Sequence, residues 1–383
     1  MSDAADGKRV WILGAGFSRP LGGPLISDLL AFRERQLIAA TLPGAANEEM
    51  IGASFRARAF CAYGQVQGYW QHAEEFLAIV DAAAAGAGEG DDAGHARRII
   101  SAMLKGTVHF PVRVLSPGNN IPPTWREVPG PLHEFDTIDE LARAARLAVL
   151  GDCWSFLRGA KVSDDEAWSP YLKWAHSLSG NDTILTFNYD TVPELLRGAG
   201  ASISIIRPDQ VGSDLRSARA KKTVVPVLKL HGSTTWATVG QGFAISDLGI
   251  PTPFLNAYAI PLMGFPGPTK VRTCRGKLND LWEEGMKTLR EAEEVIFIGY
   301  RFPPTDAFSR EQLLSALSDA RGKQLRRIKT VLGDPKDSAS TRLSALLDAA
   351  ARGIHTPVPL LAQDFMDAEA VRKRPLTMFD VVG

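Results

Sequence analysis

Three cysteines in 383 residues, Cys61, Cys153 and Cys274, are too few and too scattered for a disulfide framework. They contain no Cys-x-x-Cys pair, so a cysteine-ligated zinc site is not expected either. Charge of one sign is also missing: 43 basic and 43 acidic residues cancel, and no global field draws the chain to nucleic acid or to an anionic membrane. No uninterrupted apolar run is long enough to span a bilayer. The first residues, Met-Ser-Asp-Ala-Ala-Asp-Gly-Lys-Arg, are polar and do not read as a signal peptide, so a reducing cytoplasm is the expected compartment. A Walker loop, a metal-binding His/Asp cluster and a Ser-His-Asp spacing are all absent. What remains is an ordinary soluble composition, 45% hydrophobic and 22% charged, in a chain long enough for one large domain with an insertion or for two modest ones.

The most informative stretch is Val10-Trp-Ile-Leu-Gly-Ala-Gly-Phe-Ser18. An apolar run that ends in Gly14-Ala15-Gly16 and then Ser18 has the form of a strand feeding a tight turn beneath a nucleotide phosphate. Glycines there would let the backbone approach a pyrophosphate, and a following helix would offer unpaired N–H groups and a positive dipole end. The same pattern also fits a plain tight turn. The dinucleotide fingerprint of dehydrogenases wants a third glycine where Arg19 stands, which argues against hydride transfer.

Pro20 to Arg35 reads as a turn followed by a helix. Helical stripes follow at Ala73, Phe76, Leu77 and Val80 and at Ile138, Leu141, Ala145, Ala148 and Phe156. The Gly-rich Ala84–Gly94 and Pro-rich Pro111–Pro131 segments read as loops. From Asp182 the texture becomes strand, helix, strand, with strands expected at 183–187, 202–206, 224–230, 294–298 and 329–332. Residues 240–268 have no clear period and read as a long loop or lid. This alternation predicts an α/β fold: a Rossmann-like, doubly wound parallel sheet from residues 1–39 and 181–383, carrying a helical insertion at 40–180. Gly14, Asn188, His231, Gly299 and Asp334 all fall at the carboxyl ends of expected strands, where such sheets bind ligands.

Four segments, Ile-Leu-Gly-Ala-Gly-Phe-Ser18, Leu-Thr-Phe-Asn-Tyr-Asp190, Lys-Leu-His-Gly-Ser233 and Ile-Gly-Tyr-Arg-Phe-Pro-Pro-Thr-Asp306, resemble in order and spacing those of the sirtuin-like (silent information regulator-like) domain. The chain is most similar to the bacterial sirtuin-like NADases of antiphage defence. The resemblance implies NAD as substrate, with Gly14, Ala15, Gly16 and Ser18 on its phosphates and Asn188 and Asp190 against the nicotinamide ribose. It implies His231 as the catalytic histidine, with Gly299 and Tyr300 bordering the cofactor's far end. It further implies a homo-oligomer and a defence partner such as a HerA-type ATPase or an Argonaute-like protein, while the balanced charge and the lack of a long apolar run point to no direct nucleic-acid or membrane binding. The deacylases of that family carry a four-cysteine zinc ribbon that this chain cannot supply, so no metal is expected and protein deacylation is disfavoured.

The implied chemistry suits the residue types. Cleaving nicotinamide from ribose passes through an oxocarbenium-like state with a leaving group that is already cationic. An uncharged Asn188 can position a water or hydroxyl, and His231 can hydrogen-bond or deprotonate a ribose hydroxyl. Each residue also has a plainer reading: Asn188 and Asp190 as caps of the helix beginning at Val192, and Asp306 and Asp334 as turn residues. The alternatives in function are a catalytically silent NAD or ADP-ribose sensor and, further off, a deacylase.

Overall fold

Val10 to Leu13 lie in a strand buried along its whole length, β1 (Arg9–Leu13). A run apolar at every position suits a sheet covered on both faces, which is the setting of parallel strands. β4 (Asp182–Thr186) and β6 (Val225–Lys229) are likewise buried at every position, and β10 (Glu294–Ile298) at all but its first. With β5 (Ile203–Ile205), β11 (Arg327–Val331) and β12 (His355–Val358) they form one seven-stranded parallel sheet in the order β12-β11-β10-β1-β4-β6-β5. The expected α/β, Rossmann-like doubly wound fold is therefore present. The computed structural model describes residues 7–31, 48–85, 91–105, 110–114, 124–128, 135–246, 249, 251, 259–303, 306–321, 324–334, 336–351 and 353–372.

At the amino-terminal edge of the sheet the register of β1 on β4 is pinned by a buried ion pair. Arg9 Nε and Nη2 reach the two oxygens of Asp182 at 2.6 and 2.7 Å, and Trp11 Nε1 adds a third bond at 3.1 Å. After β1 the chain moves to β4, β5 and β6 on one side, then returns to β10, β11 and β12 on the other. The direction of winding thus reverses between β1 and β10, which makes their carboxyl ends the switch point of the sheet.

The chain divides into two compact units. The sheet unit comprises Met1–Ile26, Asp152–Gly264 and Lys270–Gly383, and the helical unit comprises Ser27–Gly151 and Phe265–Thr269. These bounds differ from the expected 40–180 insertion. Residues 152–180 go with the sheet because their aromatics pack beside β1: Trp174 meets Trp11 edge-on at 5.4 Å, and Tyr171 meets Phe17 at 5.1 Å.

The helical unit contains, among the described residues, α2 (Glu48–Val66), α3 (Ala73–Ala85), α4 (Asp91–Lys105) and most of α5 (Ile138–Ser155). The stripe expected at Ala73, Phe76, Leu77 and Val80 is buried. Trp70 closes on Phe76 at 5.0 Å and donates its indole N–H to the Cys61 carbonyl.

Several segments differ from their expected form. Pro111–Pro131 contains a hairpin, β2 (Phe110–Val114) with β3 (Thr124–Val128), whose alternation the prolines obscure; the rest of that stretch lies outside the described residues. Within 240–268, β8 (Gly242–Ile245) and β9 (Ile260–Met263) flank β7 (Gly232–Val239) in a small antiparallel sheet, while 247, 248, 250 and 252–258 lie outside the described residues. Four-residue strands are too short to display a period. Between Pro20 and Arg35, read as a turn followed by a helix, the described residues hold 3₁₀ turns at Arg19–Leu21 and Ile26–Asp28, and 32–35 lie outside the described residues. Helix α3 runs on to Ala85 and α4 starts at Asp91 inside the segment read as a loop; 86–90 lie outside the described residues. Among the described residues no helix is long and apolar enough to cross a membrane.

Candidate functional site

The turn after β1 is a single helical turn, α1 (Ala15–Ser18). Its glycines are held by the neighbouring loop. Gly14 N–H donates to the Ile298 carbonyl at 2.9 Å, Gly16 N–H to the Gly299 carbonyl at 3.1 Å, and Phe17 N–H to Gly14 at 2.8 Å. A Cβ on Gly14 would stand 2.6 Å from Tyr300 Cα, and one on Gly16 would stand 2.7 Å from Gly299 Cα. Gly299 itself has φ +68°, and a Cβ there would meet Gly16 Cα at 2.4 Å. The expectation of a helix offering unpaired N–H groups and a strong dipole is corrected here. One turn carries little dipole, most of these donors already have carbonyl partners, and the close approach the glycines permit is between two loops of the sheet.

Asn188 and Asp190 follow β4 and lock onto that turn. Ser18 Oγ donates to Asp190 Oδ2 at 2.6 Å. With its hydrogen so used, Ser18 Oγ can only accept from Asn188, whose Nδ2 lies at 3.2 Å and also donates to the Gly14 carbonyl at 2.9 Å. The amide orientation of Asn188 follows from these two acceptors, and its Oδ1 has no partner among the described residues. Asp190 Oδ1 accepts the N–H of Val192 at 3.1 Å, satisfying the first donor of α7 (Val192–Gly198), whose N-cap position is Thr191. Burial raises the Asp190 carboxyl above its ordinary value, against the opposing pull of Ser18, Lys229 and the Val192 N–H. Ser18 is buried, so its hydroxyl serves the turn rather than facing solvent.

Lys229, the last residue of β6, is fully buried. Its ammonium uses three donors, on the Asp190 carbonyl at 2.6 Å, Ser233 Oγ at 2.7 Å and Glu194 Oε1 at 2.8 Å. It ties the strand end that carries His231 to the segment that carries Asn188.

His231 is 4% exposed and belongs to a second group. Its ring lies edge-on to Phe187 at 4.8 Å, and Nε2 is 2.9 Å from Ser309 Oγ and 3.4 Å from Asp306 Oδ2. Asp306 precedes α11 (Ala307–Ala320), accepts the Tyr300 hydroxyl at 2.9 Å and pairs with Lys270 Nζ at 2.9 Å on α9 (Thr269–Arg275). Tyr300 stacks on Phe187 at 4.2 Å. Burial, then the Lys270 charge, pulls the His231 pKa from 6.5 down to about 3, against the contrary effects of Asp306 and the Phe187 backbone. The ring is neutral at pH 7. Burial alone would raise Asp306, but His231, Lys270 and Ser309 outweigh it and hold the carboxyl below its ordinary value. Tyr300 is raised by burial and then by Asp306.

Gly14, Ser18, Asn188 and Asp190 are thus joined by hydrogen bonds, and Gly14, Gly16, Gly299 and Tyr300 by backbone contact. Ala15 sits in the same turn. His231 is linked to Tyr300 through Asp306 and through the Phe187 ring, and among the described residues no hydrogen bond joins it to Asn188 or Asp190. No protein-family model matches the chain, and no curated protein matches it. Lys229, Lys270, Asp306 and Ser309 escape sequence reasoning as site residues. The signal for Lys229 is a lone lysine at the end of an apolar strand; for Lys270 and Ser309 the sequence holds none. Asp334 is an exposed turn residue whose Oδ1 accepts the Lys336 N–H, as its plainer reading had it. Among the described residues no three His, Cys, Asp or Glu side chains are grouped to hold a metal ion.

Proposed function

We propose that the chain is an NAD glycohydrolase, releasing nicotinamide and leaving ADP-ribose in linear or cyclic form. The observation that supports it most is the half-buried Asn188 at the carboxyl edge of the sheet, beside the switch point, with its amide hydrogens committed and Oδ1 open. An oriented neutral acceptor of that kind can hold a water or ribose hydroxyl beside an oxocarbenium-like sugar. His231, neutral and desolvated, is a weak base, so its part would be hydrogen bonding rather than full proton abstraction. The resemblance to sirtuin-like defence NADases supports the wider setting: an effector that depletes NAD, assembled with itself and triggered by a HerA-type ATPase or an Argonaute-like partner.

The test is nicotinamide release measured by chromatography, with NAD binding followed by calorimetry on the same samples. Asn188→Ala should lower turnover by about 10²–10⁴-fold while weakening binding far less. Equal turnover in Asn188→Ala and the unsubstituted protein would refute the assignment. A second reading, a silent NAD or ADP-ribose sensor, draws on the burial of His231 and the pairing of the turn's N–H groups. Binding without cleavage, with candidate partners present, would favour it.

A further inference from the structure

The ring of His231 faces two competing acceptors. On its Nε2 side are Ser309 Oγ at 2.9 Å and the Asp306 carboxylate at 3.4 Å, and a second hydrogen bond involves the Phe187 backbone. A neutral imidazole has one N–H and can satisfy only one of these. Asp306 is an acceptor-only group that takes the Tyr300 hydroxyl, pairs with the Lys270 ammonium and is held below its ordinary value in part by Ser309. With its hydrogen turned toward Asp306, Ser309 presents a lone pair to Nε2. The full charge of the Asp306 carboxylate, 3.4 Å from Nε2, draws a hydrogen to that side of the ring more strongly than the dipole of a backbone carbonyl draws one to the other.

We infer that Asp306 is a positioning residue for His231: acting directly and through Ser309, it selects the Nε2–H tautomer and leaves Nδ1 as the ring's acceptor. Lys270 balances the carboxylate's charge in the same buried group. The consequence for turnover rests on the NADase reading above, whereas the tautomer does not.

Two measurements test this. Nitrogen NMR of ¹⁵N-histidine-labelled protein, with His231 assigned by its loss in His231→Gln, should show Nε2 protonated and Nδ1 bare at pH 7. In Asp306→Asn the Nδ1–H form should gain population. A wild-type ring protonated on Nδ1, or a tautomer unmoved by Asp306→Asn, overturns the inference, whether or not the protein cleaves NAD. In the turnover arm, Asp306→Asn should cost about 10²-fold in kcat with little change in KM, the scale of a misplaced catalytic group. Asp306→Asn strands the buried Lys270 charge and could lose its fold for that reason alone. The double variant Asp306→Asn/Lys270→Met removes that charge, and it should keep both the kcat defect and the tautomer shift. If the double variant recovers the wild-type rate, Asp306 serves only to neutralise Lys270 and the inference fails. If the wild type binds NAD but never cleaves it, the proposed function falls and NMR alone decides the tautomer.

Discussion

Replacing Gly299 by alanine tests whether the glycines at the switch point exist for packing or for a ligand. At φ +68° an L-residue carries a strain of roughly 1–2 kcal/mol. The new Cβ would also meet Gly16 Cα and Phe17 N at 2.4 Å, both backbone atoms that cannot swing aside. Overpacking of this kind costs about 1–3 kcal/mol, so the expected total is about 2–5 kcal/mol. Gly200→Ala is the control, because Gly200 has φ +95° with nothing within 4 Å of its would-be Cβ. It should lose only the strain, about 1–2 kcal/mol. Urea unfolding followed by circular dichroism reads both, and the gap between the two variants isolates the loop contact at about 1–3 kcal/mol. Coincident midpoints with unchanged m values would refute the packing argument. A Gly299→Ala protein as stable as wild type but unable to bind NAD would return the glycine to the ligand.

Three further outcomes are expected. Because the folded pKa of His231 is depressed to about 3, only the unfolded chain takes up its proton as the pH falls below 6.5, and stability present above that value is lost on acidification. Between pH 6 and 4.5 this amounts to about 2 kcal/mol, above the range where Asp306 begins to titrate, and urea titrations of His231→Gln should lack that part of the slope. His355 is also held below its ordinary value, by burial, so some slope remains in the variant. Lys229→Met should cost about 3–5 kcal/mol in the same assay by stranding Glu194, and adding Glu194→Gln should recover at least half; no recovery would mean the lysine acts through the Asp190 carbonyl and Ser233 instead. Elemental analysis should find no stoichiometric zinc and a chelator should leave the melting temperature unchanged, whereas one tightly held zinc per chain would contradict this.

The parallel sheet was legible where short β-prone runs rich in Val, Ile and Leu are closed by punctuating residues; Glu294–Ile298, stopped by Gly299, has the bounds read from sequence. The four-residue strands β8 and β9 were not, since their pairing partner β7 supplies the order that their own composition lacks. At the site, sequence can say that Gly14 and Gly16 need room, but not that Gly299 and Tyr300 pack so close to them. Asn188 and Asp190 were legible as a pair, and Asp190 takes the Val192 N–H from one position before the N-cap, Thr191. The pairing of His231 with Asp306 spans 75 positions, and no local pattern announces it. Only the crossovers that bring β6 and β10 to one edge do so.

The placement of β1 in the middle of the sheet sets a schedule for biosynthesis. This strand is made first, yet the nearest partner in chain order, β4, follows 173 residues later, and its other neighbour, β10, only about 285 residues on. At ribosomal speeds of about 5–20 residues per second, Val10-Trp-Ile-Leu13 waits roughly 9–35 s before any strand can cover it. Nascent chains should therefore carry β1 as a sticky apolar hook until β4 has been made. Its yield in a cell is then governed by what shields that hook during translation, and slowing the ribosome between codons 14 and 182 should increase aggregation even though the finished protein is unchanged.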